Sequence, residues 1–126
     1  MDKMITEEER AEILQILKDG ERKDAHCRMR PSEETIFLAL YRYAQMKGML
    51  HKFWKLKYFR KAKGKFPYSA SDNYHPYCDC PLSRGQILVA IRYGHQNGFL
   101  EGVSSRSNRR WRFNGRCKSL LKNQSG

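Results

Sequence analysis

Apolar positions recur at helical spacing three times along the chain. In the first run Ala11, Ile13, Leu14, Ile16 and Leu17 follow the capping-box pair Thr6 and Glu9, and Gly20 closes the run. Acids fill its first turn, where the helix dipole favours them. The second run opens at Pro31 and Ser32, with Glu33 and Glu34 next. Ile36, Phe37, Leu40, Tyr41, Tyr43 and Ala44 make one broad apolar face, and Gly48 stops it. The third, "SRGQILVAIRYGHQNG", starts at a Ser83 cap and stops at Gly98. Between the first two, "ERKDAHCRMR" reads as a polar link.

The period then changes. Residues 98–113, "GFLEGVSSRSNRRWRF", place two short apolar runs around a tip of serine, asparagine and arginine, the pattern of a β-hairpin. Alternation sends Trp111 and Phe113 to the core and Arg110 and Arg112 outward, with Arg106 and Arg109 at or near the tip. Residues 49–66 fit both periods. Leu50, Phe53 and Trp54 suit a helix, while Trp54 to Tyr58 alternate as a strand does; the alternation is short, and the expectation is a helix over 49–62. Residues 64–82 hold three of the four prolines and read as a loop.

At 126 residues and 40% hydrophobic content, the chain suits one globular domain, mainly α with a small β-hairpin (α+β). It divides into an acidic helix over 1–24 that packs on the domain or mediates a homodimer, a basic domain over 25–121, and a frayed tail over 122–126. No run nears the 18 apolar residues of a membrane span. The acidic start "MDKMITEEER" is unlike a signal or transit peptide, so the expected location is the cytoplasm, the chain's own or a host's.

A helix ending in "NG", a strand, a basic tip and an aromatic strand follow one another in "SRGQILVAIRYGHQNGFLEGVSSRSNRRWRF". This order resembles the closing half of a winged helix-turn-helix domain over residues 82–114. The resemblance implies a winged-helix-like single domain whose last helix enters the major groove and whose hairpin, the wing, touches backbone or minor groove. In such a helix Ile87, Leu88, Ile91 and the Gly94–His95 position should face the core. The opposite side then offers Gln86, Val89, Tyr93, Gln96 and Asn97, with Arg92 flanking. Gln and Asn pair with adenine edges, Arg with guanine or phosphate, Tyr with sugar or phosphate. The family's preceding helix has no clear counterpart in "YSASDNYHPYCDCP": either 49–62 supplies it with a long insertion after it, or the fold is a variant.

Charge sharpens the choice of partner. The net charge is +12, but residues 1–24 carry eight acids against five bases and the remainder 20 bases against five acids. Such a field favours polyanions. Lys55, Lys57, Arg60 and Lys61 belong to a stretch with seven bases and no acid. Duplex DNA is the expected partner. RNA is the rival if Trp54, Tyr58 and Phe59 stack on unpaired bases, although those aromatics suit a core better. An inhibitor or adaptor of a nucleoprotein complex, of the anti-restriction or anti-CRISPR kind, is the alternative from another class.

His75, Cys78, Cys80 and Cys117 are the one set with the chemistry of a structural zinc site. Three of them fall within residues 75–80, which strains tetrahedral closure, so the expectation is reduced cysteines and no cofactor. No Walker loop, HExxH or paired acidic cluster is present, and no enzyme is expected. The sum is a small basic DNA-binding regulator or accessory factor, of a size that also suits a phage or mobile element.

Overall fold

The computed structural model describes residues 5–50, 53–54, 80–103 and 110–118. Lys55, Lys57, Arg60, Lys61, His75, Cys78, Arg106 and Arg109 lie outside the described residues, as do most of the expected loop and the tail. In chain order the elements are α1 (Glu7–Asp19), β1 (Glu21–Lys23), β2 (Met29–Pro31), α2 (Glu33–Met46), α3 (Arg84–Gln96), β3 (Leu100–Val103) and β4 (Arg110–Phe113).

Helix boundaries follow the caps. Thr6 and Glu9 form the capping box of α1, Ser32 caps α2, and Ser83 with Gln86 forms a second capping box on α3. Gly48 and Gly98 take φ of 69° and 77°, the left-handed turn that ends a helix at little cost only for glycine. After Gly98 the Phe99 amide donates back to the Gly94 carbonyl at 2.7 Å, which fixes the angle at which β3 leaves α3.

Helix α2 is the central element. Ile36 to Tyr41, Tyr43 and Ala44 are all buried, because α1 covers one side and α3 with the β3–β4 hairpin covers the other. Phe37 is the hub, with ring centroids 5.8 Å from Tyr93, 5.7 Å from Phe99 and 5.8 Å from Phe113. Phe113 also meets Tyr41 and Trp54, each at 5.4 Å. Gly94 lets α3 approach this closely: a Cβ there would run into the Phe37 ring and lie 2.8 Å from Leu100 Cγ. On α1 only Ile13 and Leu17 are buried; Leu14, expected inside, is 45% exposed. Glu12 of α1 accepts from Nε of Arg42 at 2.5 Å, tying the acidic helix to α2.

Three further expectations need correction. The polar link is itself a hairpin, with Glu21 opposite Pro31, Arg22 opposite Arg30 and Lys23 opposite Met29. The expected helix over 49–62 does not hold at its described positions: residues 49, 50, 53 and 54 are not helical, and Trp54 forms an antiparallel bridge with Trp111 through reciprocal 2.8 Å hydrogen bonds. Pairing with the open edge of β4 outweighs three apolar residues at helical spacing. The third concerns the rotation of α3. Its buried side holds Ile87, Ala90, Ile91 and Gly94, while Leu88 is 43% exposed and His95 is exposed. Gly94 admits the Phe37 ring on this side, and the helix turns Ala90 inward and Leu88 outward.

Candidate nucleic-acid interface

Helix α3 and the hairpin after it carry all the described residues that were expected to contact nucleic acid. With the buried side fixed, the outer stripe of α3 consists of Gly85, Leu88, Arg92, His95 and Gln96. Arg92 lies 3.6 Å from Glu33 at the start of α2, both side chains more than half exposed. Such a pair holds little energy and can exchange its carboxylate for a phosphate. Gln96 is exposed one turn further on.

The other residues expected on that face have structural work. The Gln86 side chain accepts from the Ser83 amide at 3.0 Å to complete the capping box. Asn97 Nδ2 donates to the Tyr93 carbonyl at 2.8 Å and closes the helix end. Tyr93 is half-buried, its ring 6.3 Å from Phe99 and near parallel to it. Burial, then the carboxylates of Glu34 and Glu33, push its hydroxyl above the usual tyrosine range. Of the expected set on α3, Arg92 and Gln96 share the open stripe, and the stripe adds Gly85, Leu88 and His95.

Gly85 stands out on this stripe because, among the described residues, none packs against its Cα side. Among the described residues an added Cβ would meet nothing within 4 Å, and φ is not in the left-handed region. Glycine inside a helix costs about 1 kcal/mol relative to alanine, less in the first turn. A residue that weakens its helix without easing any internal contact suits an outside surface that must come close. Leu88, one turn on, is the exposed apolar side chain of the same stripe. A capped first turn with a bare glycine is the sequence signal that points to this edge.

In the hairpin, Leu100 pairs with Phe113, Glu101 with Arg112, Gly102 with Trp111 and Val103 with Arg110. Trp111 and Phe113 are buried as alternation requires. Arg110 is exposed. Arg112 is half-buried; its NH2 donates to Glu101 at 2.8 Å and its guanidinium lies 4.5 Å from the Phe53 ring centroid. The lone acid of the hairpin therefore serves its register partner, and Arg110 is left as the outward cation of β4.

Cys80 and Cys117 are both buried in the core. The Cys117 thiol donates to the Phe99 carbonyl at 3.3 Å, and burial pushes its pKa up to about 11. Among the described residues no three His, Cys, Asp or Glu side chains gather as metal ligands, and no helix is long and apolar enough to cross a membrane. No family model, curated protein or solved structure matches the chain.

Proposed function

We propose that this protein binds nucleic acid without catalysing a reaction, with duplex DNA as its main target, through the outer stripe of α3 and the β3–β4 wing. The observation that carries the reading is the juxtaposition of Gly85, Leu88, Arg92 and Gln96 on one open helix face, continuous through Gly98 with a hairpin whose outward cation is Arg110. Arginine pairs with guanine or phosphate, glutamine with adenine, and leucine packs on a thymine methyl. A glycine in the first turn lets the helix start approach a sugar–phosphate edge. The arrangement is similar to a winged helix: α2 behind α3, and a strand position at Trp54 extending the wing sheet on the far side of β4. A regulator or accessory factor acting on DNA is the role this surface suits.

Fluorescence-anisotropy titrations against duplex DNA, single-stranded DNA and RNA at two salt concentrations test the reading. A salt-sensitive preference for duplex is expected. Gly85→Ala should raise stability by about 0.5 kcal/mol and weaken duplex binding several-fold, because the methyl helps the helix and obstructs the approach. A variant that gained stability and bound duplex unchanged would take the first turn of α3 off the interface. Retention only by a protein complex, with no affinity for free nucleic acid, would replace the reading by the adaptor one.

A further inference from the structure

Residues 21–31 form an ordered hairpin that buries none of its side chains. Two strands of three residues do not hold together in water unaided. Local devices hold these. Oδ1 of Asp24 accepts from the amides of His26 at 2.8 Å and Arg28 at 2.9 Å, and the Asp24 amide donates to the Arg28 carbonyl at 2.8 Å. At the base, the Ser32 amide donates to the Gly20 carbonyl at 3.3 Å.

What these devices hold in place is positive charge. Arg22 stands directly opposite Arg30, and alternation puts Asp24 and Arg28 on the same face. Like charges across a strand pair repel, so this register is unfavourable for the isolated hairpin. Oδ2 of Asp24 relieves part of it, accepting from Nε of Arg28 at 3.1 Å and lying 3.4 Å from Nε of Arg30. Those two arginine side chains are oriented yet remain 55% and 60% exposed. Three guanidinium groups thus share one face with a single carboxylate. Lys23, opposite Met29, lies on the other face of the hairpin.

We propose that the β1–β2 hairpin is a second nucleic-acid contact, in which Arg22, Arg28 and Arg30 bind backbone phosphates beside the α3 stripe. This rests on the nucleic-acid reading above and extends it to an element outside the wing and α3. The placement fits. Pro31 ends the hairpin two residues before Glu33, which meets Arg92 of the stripe, so the hairpin leaves the body next to that face. A phosphate offers what the face lacks: paired oxygens that accept from a planar guanidinium fork, at a charge spacing dense enough to meet several arginines together. Arginines held through Nε lose less freedom on binding than loose ones do.

The test compares Arg22→Gln with Arg30→Gln in one chain against Arg10→Gln with Lys18→Gln, which removes the same charge from exposed positions on α1. Binding to one duplex is followed by anisotropy across a salt series, with thermal melting of each variant alongside. The hairpin variant should melt at or above the wild-type temperature, since it sheds a repulsive pair and no core residue. Its slope of log K against log salt should fall by about 2, with roughly ten-fold weaker binding near physiological salt, because each phosphate no longer neutralised takes about 0.9 from the slope. The control should keep the wild-type slope. Equal behaviour of the two variants on a duplex that the wild type binds would overturn the hairpin contact and leave the α3 and wing reading standing. A wild type that binds no nucleic acid would overturn both.

Discussion

The β1–β2 and β3–β4 hairpins are built to one scale and both display arginine, yet they are held by opposite means. In β3–β4, Leu100, Trp111 and Phe113 reach into the aromatic hub, Trp54 pairs along the outer edge, and the arginines are what alternation leaves outside. In β1–β2 no side chain is buried, and one carboxylate, Asp24, organises the turn and two arginines together. Order in the β3–β4 hairpin comes from the core of the domain. In β1–β2 it comes from hydrogen bonds and charge at the surface. A cation on β4 is therefore positioned as firmly as the fold itself, whereas the cations of β1–β2 can be released or recharged with the domain intact.

The largest expected effect separates the two directly. Phe113→Ala should destabilise the protein by about 3–5 kcal/mol, as removal of a buried aromatic from a close-packed cluster does. Met29→Ala, on the exposed side of β2, should change stability by less than about 0.5 kcal/mol. Urea denaturation of both variants reads this out. Similar losses for the two would mean that β1–β2 is part of the cooperative core after all.

Much of this difference is legible in the chain. The caps at Thr6, Ser32 and Ser83 and the stops at Gly48 and Gly98 lie where the sequence puts them, because capping is local chemistry between residues three or four apart. The inward Trp111 and Phe113 follow from period 2 alone. Pattern fails where tertiary contact decides. Trp54 suits a helix or a strand by spacing, and the edge of β4 chooses. Leu88 is more hydrophobic than Ala90, yet the small residue faces inward, on the side where Gly94 lets the Phe37 ring come close. The β1–β2 hairpin escapes a sequence reading because its strands carry no apolar alternation, only a turn sequence, Asp24-Ala-His-Cys27-Arg28, whose left-handed position lacks the usual glycine. As for the candidate interface, its arginines are visible as composition; which of them are engaged, as Arg112 is by Glu101, depends on register.

Titration should sharpen the same contrast at its two ends. In the core, burial raises the pKa of Cys117 to about 11 and raises those of Tyr41 and Tyr93 above the usual tyrosine range. Each of these groups is neutral when protonated, and the fold disfavours the charged form. Their contribution is thus complete below the unfolded-state values and is lost as pH rises from about 9 through 11 and beyond. The melting temperature should fall by several degrees over that window, and by less in Cys117→Ala relative to its own neutral-pH value. At the acid end, hydrogen bonds from the Arg28 amide, chiefly, hold Asp24 below its ordinary value. Its contribution is present above that ordinary value and is lost as pH falls through the depressed one. Because the group is on the surface, acid should free the Arg28 amide, seen as a chemical-shift change, with the core resonances unmoved. Loss of core and hairpin signals at one acid midpoint would contradict a separately held hairpin.

The smallest effect lies at Cys27, whose φ of 60° is the left-handed conformation that glycine fills at Gly48 and Gly98. A side chain there costs roughly 1–2 kcal/mol, and glycine returns part of that gain through greater freedom in the unfolded chain. Cys27 is exposed, so its replacement removes no packing. Cys27→Gly should therefore strengthen the turn by about 0.5 kcal/mol, the low end of such substitutions. The readout is hydrogen exchange at the Arg28 amide, which donates to Asp24 and should slow roughly two-fold. Exchange in α2, whose opening requires the aromatic hub to part, should change less, because the hairpin can open without it. A uniform slowing across both would show that closing the turn and folding the core are one event, and the arginines of β1–β2 would then be as firmly placed as those of β4.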